Sequence, residues 1–220
     1  MPRPRAITAA VFDLDGTLVD SMRAAPAAYA DTIRCRGGPT LGVSDVIAAW
    51  HLGPAPVVLA HFLGRPTTAE DMAEYYRRLD LRSVDVEPFP GVRDMLRSLR
   101  SSGYRIGVYT SATRRAAWLL LARAGLDDAF AVVVGGDDVN SPKPAPHGLH
   151  MACHGMGVTA EQTAYVGDAD VDLQCARAAG SLGIHARWAS PGGSTGRDLV
   201  ADRPEDVVCL LGQASDLERR

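Results

Sequence analysis

Short apolar runs recur along the chain and predict β-strands. Residues 7–12 form the first run, whose length and composition are typical of a short buried strand. Four later runs have the same character: residues 105–110, 130–134, 163–167 and 182–186. Helical patterns separate them at residues 92–101, 114–124, 146–154 and 170–179, and glycines follow three of these helices closely. This alternation predicts an α/β fold, with a parallel sheet covered by helices on both faces.

The segment between the first two predicted strands has a different pattern. It lacks strand-like runs and shows helical patterns at residues 27–34, 44–50, 56–63 and 68–79. Thr68 followed by Asp71 is typical of a helix start. We therefore predict a small helical lobe, residues 20–88, inserted into a core formed by residues 1–19 and 89–220. The chain after Arg203 is expected to form a final amphipathic helix.

Composition and charge narrow the class of protein. Hydrophobic residues make up 46% and charged residues 22%, as in ordinary globular enzymes. The net charge of −3 means that the chain has no excess of positive charge, which argues against nucleic acid or an anionic membrane as a partner. No apolar run approaches about 20 residues, and residues 1–5 do not resemble a secretory leader. The four cysteines are scattered, so we expect a reduced, cytoplasmic protein.

Two carboxylates, Asp13 and Asp15, stand where the first predicted strand ends, and Gly16 follows them. Burying two negative charges costs several kcal/mol each unless a cation or hydrogen bonds compensate them. A divalent metal ion is the compensation that suits such a pair, and chemistry on a phosphate is the corresponding task. A solvated acidic turn is the alternative, and the other polar residues at strand ends disfavour it.

Further polar residues follow later strands, at the edge where ligands of parallel sheets collect. Thr110 and Ser111 follow the second predicted strand, and Asp168 follows the fourth. The single lysine among the 23 basic residues, Lys143, lies in a proline-rich stretch that keeps the backbone extended and stiff. A lysine is a compact point charge, so it suits a crowded anionic site.

These residues together predict phosphoryl-transfer chemistry. Asp13 would act as the nucleophile and form an aspartyl-phosphate. Asp15 would protonate the leaving group and then deprotonate water. Asp168, with Asp13 and the backbone carbonyl of Asp15, would hold Mg²⁺.

The remaining groups would bind the phosphate itself. Thr110 would offer its hydroxyl, and the N–H groups of Ser111 and Ala112 at a helix start would form an anion-binding nest. Lys143 would offset the charge that develops on the phosphoryl oxygens.

The ordered motifs resemble the haloacid dehalogenase superfamily, specifically the subgroup with a small helical cap. The matching residues are Asp13-x-Asp15-Gly16-Thr17, Thr110-Ser111, Lys143-Pro144 and Gly167-Asp168-x-x-x-Asp172. The resemblance implies a Rossmann-like core, Mg²⁺ dependence and the roles given above. It also implies that Asp172 joins the acidic site, where it positions Lys143 or a metal-bound water, and that Thr17 contributes to substrate binding. Ala169 is a small departure, because relatives often carry Ser or Thr there.

Departures from the pattern choose among the reactions of the superfamily. Asp15 argues against the dehalogenases, and the absence of a second lysine excludes the phosphonate-cleaving branch. The β-phosphoglucomutase branch carries a His soon after the first motif, but residues 22–26 contain none. We therefore expect a phosphatase that acts on a small phosphorylated metabolite and is similar to the phosphoglycolate phosphatases. A phosphosugar mutase and a non-catalytic phosphometabolite-binding protein are the alternatives.

Further residues outside the four motifs are also assigned. Arg34 and Arg36 lie in a loop region that would face the site if the cap closes. We assign Arg34 to a second anionic group of the substrate, with a solvated surface position as the alternative for both arginines. Tyr75 and Tyr76 are expected to pack within the cap, with coverage of the site and contact with the substrate as the alternative. The histidines at 147, 150 and 154 are read as surface or packing residues, and residues 191–196 as a surface loop. We expect a monomer or a weak homodimer.

Overall fold

The computed structural model describes residues 6–189 and 199–217, with side chains described up to residue 214. These residues contain one parallel six-stranded sheet in the order β3-β2-β1-β4-β5-β6. Its strands are β1 (Ala9–Phe12), β2 (Arg105–Tyr109), β3 (Val132–Val134), β4 (Thr163–Gly167), β5 (Leu182–Ala186) and β6 (Leu199–Ala201). Five of the six were predicted, and the ends of these five differ from the prediction by at most two residues. The sequence did not predict β6, a three-residue edge strand.

Nine α-helices lie within the described residues. The first four are α1 (Ala24–Cys35), α2 (Val43–Ala48), α3 (Ala55–Leu63) and α4 (Ala69–Arg82). The other five are α5 (Val92–Ser101), α6 (Arg114–Arg123), α7 (His147–Met156), α8 (Asp170–Ala179) and α9 (Pro204–Leu217). Short 3₁₀ turns occupy Trp50–Leu52, Gly136–Asp138 and Ala160–Gln162.

The sheet is buried on both faces, as its apolar strands require. Alternate residues of β1 enter two separate cores, because successive side chains of a strand point to opposite faces. Ala10 and Phe12 join the core under α5, α6 and α9, whereas Ala9 and Val11 join the core under α7 and α8. The fold is the predicted Rossmann-like α/β architecture.

Helices α1 to α4 form the inserted cap. Helix α4 begins with the predicted capping box, in which the Thr68 hydroxyl accepts a hydrogen bond from the Asp71 N–H and the Asp71 carboxylate accepts one from the Thr68 N–H. Asp71 is fully buried and pairs with Arg36 and Arg65, each at 2.6 Å, so the same carboxylate also ties α4 to the segments after α1 and α3.

The two chain segments that join the cap to the core lie side by side. Val19 forms an isolated bridge with Pro88, and the Asp20 N–H donates to the Glu87 carbonyl at 3.1 Å. The predicted boundaries, between residues 19 and 20 and between residues 88 and 89, lie at this pairing and stay a prediction.

Candidate active site

The candidate site lies where the strand order of the sheet reverses. β1 and β4 are adjacent parallel strands, and the Asp13 N–H donates to the Val166 carbonyl at 2.8 Å. In open α/β sheets, ligands bind at the carboxyl ends of the strands at this switch point. Asp13 directly follows β1 and Asp168 directly follows β4, so the topology brings the two predicted carboxylates to one crevice.

The loop after Asp13 turns tightly and passes close to Asp168. Gly16 has a φ of +82°, and a Cβ atom on it would lie 2.5 Å from an Asp168 carboxylate oxygen. Only glycine combines this backbone conformation with so close an approach. The Thr17 hydroxyl donates to the other carboxylate oxygen of Asp168 at 3.1 Å. Thr17, predicted to bind substrate, therefore orients Asp168 in this structure.

Lys143 lies between two carboxylates. Its Nζ is 2.6 Å from Asp13 Oδ1 and 2.7 Å from Asp172 Oδ1, and its side chain is only 3% exposed. Burial opposes the positive charge of Lys143, but Asp13 and Asp172 outweigh that effect and raise the pKa of the ammonium above its usual value. The lysine is therefore a permanent cation that touches the predicted nucleophile.

Asp172 has few free acceptor positions. Its Oδ1 accepts from Lys143 and lies 3.2 Å from the Tyr165 hydroxyl, whereas its Oδ2 accepts from the Ala169 N–H at 3.1 Å at the start of α8. These contacts suit the predicted role of Asp172 in positioning Lys143. Direct metal coordination by Asp172 would compete with them.

The acidic cluster has the composition of a divalent cation site. Carboxylate oxygens of Asp13, Asp168 and Asp172 all lie within 4.8 Å of one another. Burial raises the pKa of Asp13, as do the neighbouring carboxylates, although Lys143 acts in the opposite direction. Burial and then Asp172 raise the pKa of Asp168 to about 6. The single positive charge of Lys143 does not neutralise three carboxylates. A hard divalent cation, which prefers oxygen ligands, fits this donor set.

Asp15 lies apart from this cluster and faces different neighbours. Its carboxylate accepts a short hydrogen bond from the Ser21 hydroxyl, a residue to which the sequence assigned no role. Burial raises the pKa of Asp15, and the bond from Ser21 lowers it in part. A carboxyl group with a raised pKa carries its proton at higher pH, as a general acid must.

The predicted phosphate loop follows β2. Thr110 is buried, and its hydroxyl accepts from the Ala112 N–H at 3.1 Å. The short turn thus directs the Ala112 N–H at Thr110 in this structure, and its predicted role in binding an anion stays a prediction. Ser111 is exposed, and within the described residues no hydrogen bond involves its N–H.

Arg34 also lies in a different environment from the predicted one. It pairs with Asp31 of the same helix at 3.2 Å and is 63% exposed, and Asp31 also accepts from Arg82 of α4. Arg36 pairs with Asp71. Both arginines therefore stabilise contacts within the cap in this structure, so the assignment of Arg34 to substrate binding gains no support from its contacts.

The cap contacts the core beside the phosphate loop. The Tyr76 hydroxyl lies 3.1 Å from the Thr113 hydroxyl, and the Arg115 guanidinium stands 4.3 Å from the centroid of the Tyr76 ring. Tyr75 is buried against Tyr29, with ring centroids 4.6 Å apart. Tyr76 thus reaches the core, whereas Tyr75 packs inside the cap.

The histidine stripe of α7 is exposed, as predicted. His147, His150 and His154 line an open groove of about 740 Å³ together with Asp138 and Asn140. Among the described residues, the three-carboxylate cluster is the only group of three or more potential ligands close enough to share a metal ion. The predicted loop at residues 191–196 lies outside the described residues.

Several neighbours of the site carried no signal in the sequence. Tyr109 and Tyr165 are strand residues whose pattern predicts only core packing, yet both ring centroids lie within 5.2 Å of Lys143 Nζ, and the Tyr165 hydroxyl lies 3.2 Å from Asp172. The Trp188 indole donates to the Thr17 carbonyl at 2.8 Å, and His185 Nε2 lies 3.1 Å from the Asp168 carbonyl. These contacts depend on strand adjacency, which single-residue patterns do not reveal.

Comparison with known proteins identifies the family. The family model described as haloacid dehalogenase-like hydrolase matches residues 10–184. The chain is 35% identical to a phosphoglycolate phosphatase (plasmid) of Cupriavidus necator, over 94% of each chain. The chain belongs to the haloacid dehalogenase-like hydrolases. It is also 31% identical to the phosphoglycolate phosphatase of Yersinia pestis, over 99% of this chain and 94% of that one.

A solved structure supports the fold. The structure of CbbY from Rhodobacter sphaeroides in complex with phosphate superposes with a TM-score of 0.80 at 21% identity, covering 91% of this chain and 96% of that one. As a haloacid dehalogenase-like hydrolase related to phosphoglycolate phosphatases, this protein is a phosphatase.

No single helix in the described part of the chain is long and apolar enough to cross a membrane. One helix pair, Val43–Leu52 with Ala55–Leu63, meets the length and composition criterion together, but it is bent by 118°.

Proposed function

We propose that the protein hydrolyses a small phosphorylated metabolite in two steps, through an aspartyl-phosphate on Asp13. The observation that carries this proposal is the contact between Lys143 and Asp13 at 2.6 Å, in a buried crevice that also holds Asp168. Asp13 would be the nucleophile and Lys143 the cation that stabilises it, and Asp15, which is close enough to Asp13 to affect its pKa, would be the proton donor.

We propose Mg²⁺ as the cofactor of this site. Asp13, Asp168 and the backbone carbonyl of Asp15 would hold it, with Asp172 beside it as the counter-charge of Lys143. When bound, Mg²⁺ would neutralise negative charge on the phosphoryl oxygens and on the carboxylates. Burial and neighbouring carboxylates raise the pKa values of Asp13 and Asp168, because both destabilise the negative charge. A bound cation would offset this destabilisation.

In the first step, a carboxylate oxygen of Asp13 attacks phosphorus, and the bond from phosphorus to the leaving oxygen breaks. Asp15 donates its proton to that oxygen, so the product leaves as a neutral alcohol. The Lys143 ammonium lies against Asp13 and stabilises the charge that spreads over the phosphoryl group.

In the second step, water attacks the phosphorus of the aspartyl-phosphate. Asp15, now ionised, accepts a proton from this water, while the bond from phosphorus to the Asp13 oxygen breaks and releases phosphate. The Ser21 hydroxyl holds Asp15 in place through both steps. Thr110 and the Ser111 N–H would bind the phosphoryl oxygens on the side of β2.

The substrate would be a small phosphomonoester with a second anionic group, of which 2-phosphoglycolate is the first candidate. The support is the name that the Cupriavidus necator and Yersinia pestis relatives carry. We further propose that residues 20–88 act as the cap over this substrate, and that the protein is a cytoplasmic monomer or weak homodimer.

The test is phosphate release from a panel of 2-phosphoglycolate, a hexose 6-phosphate and a hexose 1-phosphate, with Mg²⁺ or with EDTA. Asp13→Asn is expected to lower kcat by about a thousandfold or more, because the amide is not a nucleophile. Asp20→Asn is the matched control, since Asp20 is an exposed aspartate seven residues further along the same segment.

Full activity of Asp13→Asn would refute the aspartyl-phosphate mechanism. Conversion of the hexose 1-phosphate to its 6-phosphate without phosphate release would indicate a mutase. Tight binding of a panel member with no turnover would indicate a binding protein.

A further inference from the structure

Two buried tyrosine rings face the catalytic lysine. Lys143 Nζ lies 5.1 Å from the centroid of the Tyr109 ring and 5.2 Å from that of Tyr165. Both rings are at most 1% exposed, and they stack on each other with centroids 6.1 Å apart and planes at 27°. A cation within about 6 Å of an aromatic face is attracted to it, most strongly where water is excluded.

The hydroxyl of Tyr165 connects these rings to the counter-charge of the lysine. It lies 3.2 Å from Asp172 Oδ1, the oxygen that also accepts from Lys143, and 2.8 Å from the Tyr109 carbonyl. Tyr165 thus contacts the ammonium through its ring and supports Asp172 through its hydroxyl.

Tyr109 contributes its ring alone. Its hydroxyl is buried and has no hydrogen-bond partner among the described residues. The ring lies against α7, where a Cβ atom on Gly148 would come within 2.1 Å of it, so a glycine is required at that position. The close contact with α7 on one side and Tyr165 on the other holds the Tyr109 ring in place.

We propose that Tyr109 and Tyr165 form an aromatic clamp that positions the Lys143 ammonium between Asp13 and Asp172. The lysine has a flexible four-carbon stem and three donors, and the two carboxylates account for two of these donors. The two ring faces add contacts that do not depend on the charge of Asp13, so the ammonium stays at Asp13 when that charge is lost in the aspartyl-phosphate. The kinetic part of this inference rests on the proposed function, whereas the clamp itself does not.

Because Lys143 is the only lysine of the chain, labelled lysine reports on this residue alone. In protein grown with ¹³C-lysine, the side-chain ε-CH₂ signal is expected upfield of its free-lysine position, since it lies over two aromatic faces. The shift should persist in Tyr109→Phe and Tyr165→Phe, which keep the rings. It should decrease in Tyr109→Leu and Tyr165→Leu, which remove one ring each.

Kinetics separate positioning from core filling. Each Leu variant is expected to lower kcat about tenfold with little change in KM, and the Phe variant at the same position to recover most of that loss. Phe130→Leu is the matched control, because Phe130 is a buried ring in the core on the other face of the sheet. It should leave kcat and the lysine signal unchanged.

A wild-type ε-CH₂ signal at the free-lysine position would overturn the clamp, even if the Leu variants fail to fold. Folded Leu variants with wild-type kcat would overturn its role in positioning. An upfield signal in a protein that releases no phosphate would leave the clamp standing and contradict the proposed function instead.

Discussion

At the scale of single residues, the site depends on how closely backbone and carboxylates approach each other. Gly16 shows this most directly, because it combines a φ of +82° with a position that leaves no room for a Cβ atom beside Asp168. Replacing it would strain the backbone and also displace a predicted metal ligand. The two effects can be separated, since Gly37 has a φ of +87° but open space around it.

We expect Gly37→Ala to cost about 1 kcal/mol of stability from backbone strain alone. Gly16→Ala should cost more than this and should also weaken activation by Mg²⁺, because Asp168 must move. Urea denaturation measures the first effect, and the Mg²⁺ concentration for half-maximal activity measures the second. Equal behaviour of the two variants in both assays would show that the close approach to Asp168 is unimportant.

The buried tyrosines illustrate what residue patterns leave hidden. An apolar strand position filled by Tyr predicts core packing, and Tyr109 and Tyr165 do pack in the core. Their second property, a lysine over their faces, arises because a residue more than 20 positions away in the chain is folded onto them.

At the scale of elements, periodicity and capping signals were sufficient for most of the fold. Helices α5 and α8 and strands β4 and β5 have the predicted bounds. The sequence did not predict β6 because three residues carry too little periodicity, and the edge of the sheet stabilises them through pairing with β5.

Helix α4 depends on one carboxylate. Asp71 accepts from Arg65, Arg36 and Thr68, which together hold the pKa of its carboxyl well below the usual range, although burial acts against them. A group whose pKa is depressed by folding stabilises the protein above its unfolded pKa of about 4, and this stabilisation is lost as the pH falls toward the folded pKa.

Asp71→Asn is therefore expected to lower the free energy of unfolding by about 2 kcal/mol at pH 7. The difference from wild type should narrow below about pH 4, where the unfolded wild-type chain begins to bind the proton. Urea denaturation at pH 7, 5 and 3 measures this difference in the free energy of unfolding. A difference that stays constant over this range would contradict the stabilising role of the Asp71 carboxylate. Asp45→Asn, at an exposed residue, serves as the control.

At the scale of the whole molecule, the sheet brings together charges from distant parts of the chain. Asp13, Lys143, Asp168 and Asp172 lie on three separate segments, and the switch point between β1 and β4 places them around one crevice. An excess of buried negative charge opposes folding, so a bound divalent ion should stabilise the native state.

We expect Mg²⁺ at about 100 times its Kd to raise the free energy of unfolding by about 2.7 kcal/mol over the value in EDTA. Asp168→Asn should abolish most of this increase, whereas Asp170→Asn, an exposed neighbour on α8, should retain it. Urea denaturation with and without Mg²⁺ measures the effect. No increase in the wild-type protein would argue against a metal site at this cluster.

By itself, the sequence determined the α/β class and the helical segment inserted after the first strand, and it predicted which charged residues form the site. It could do so because strand and helix periods, turn residues and the spacing of charged residues are local properties of a chain. Only the tertiary structure decided which groups meet. It paired Arg34 and Arg36 within the cap, directed the Ala112 N–H at Thr110, and enclosed Lys143 between two carboxylates and two rings. Such contacts follow from strand order and packing, which no local pattern encodes.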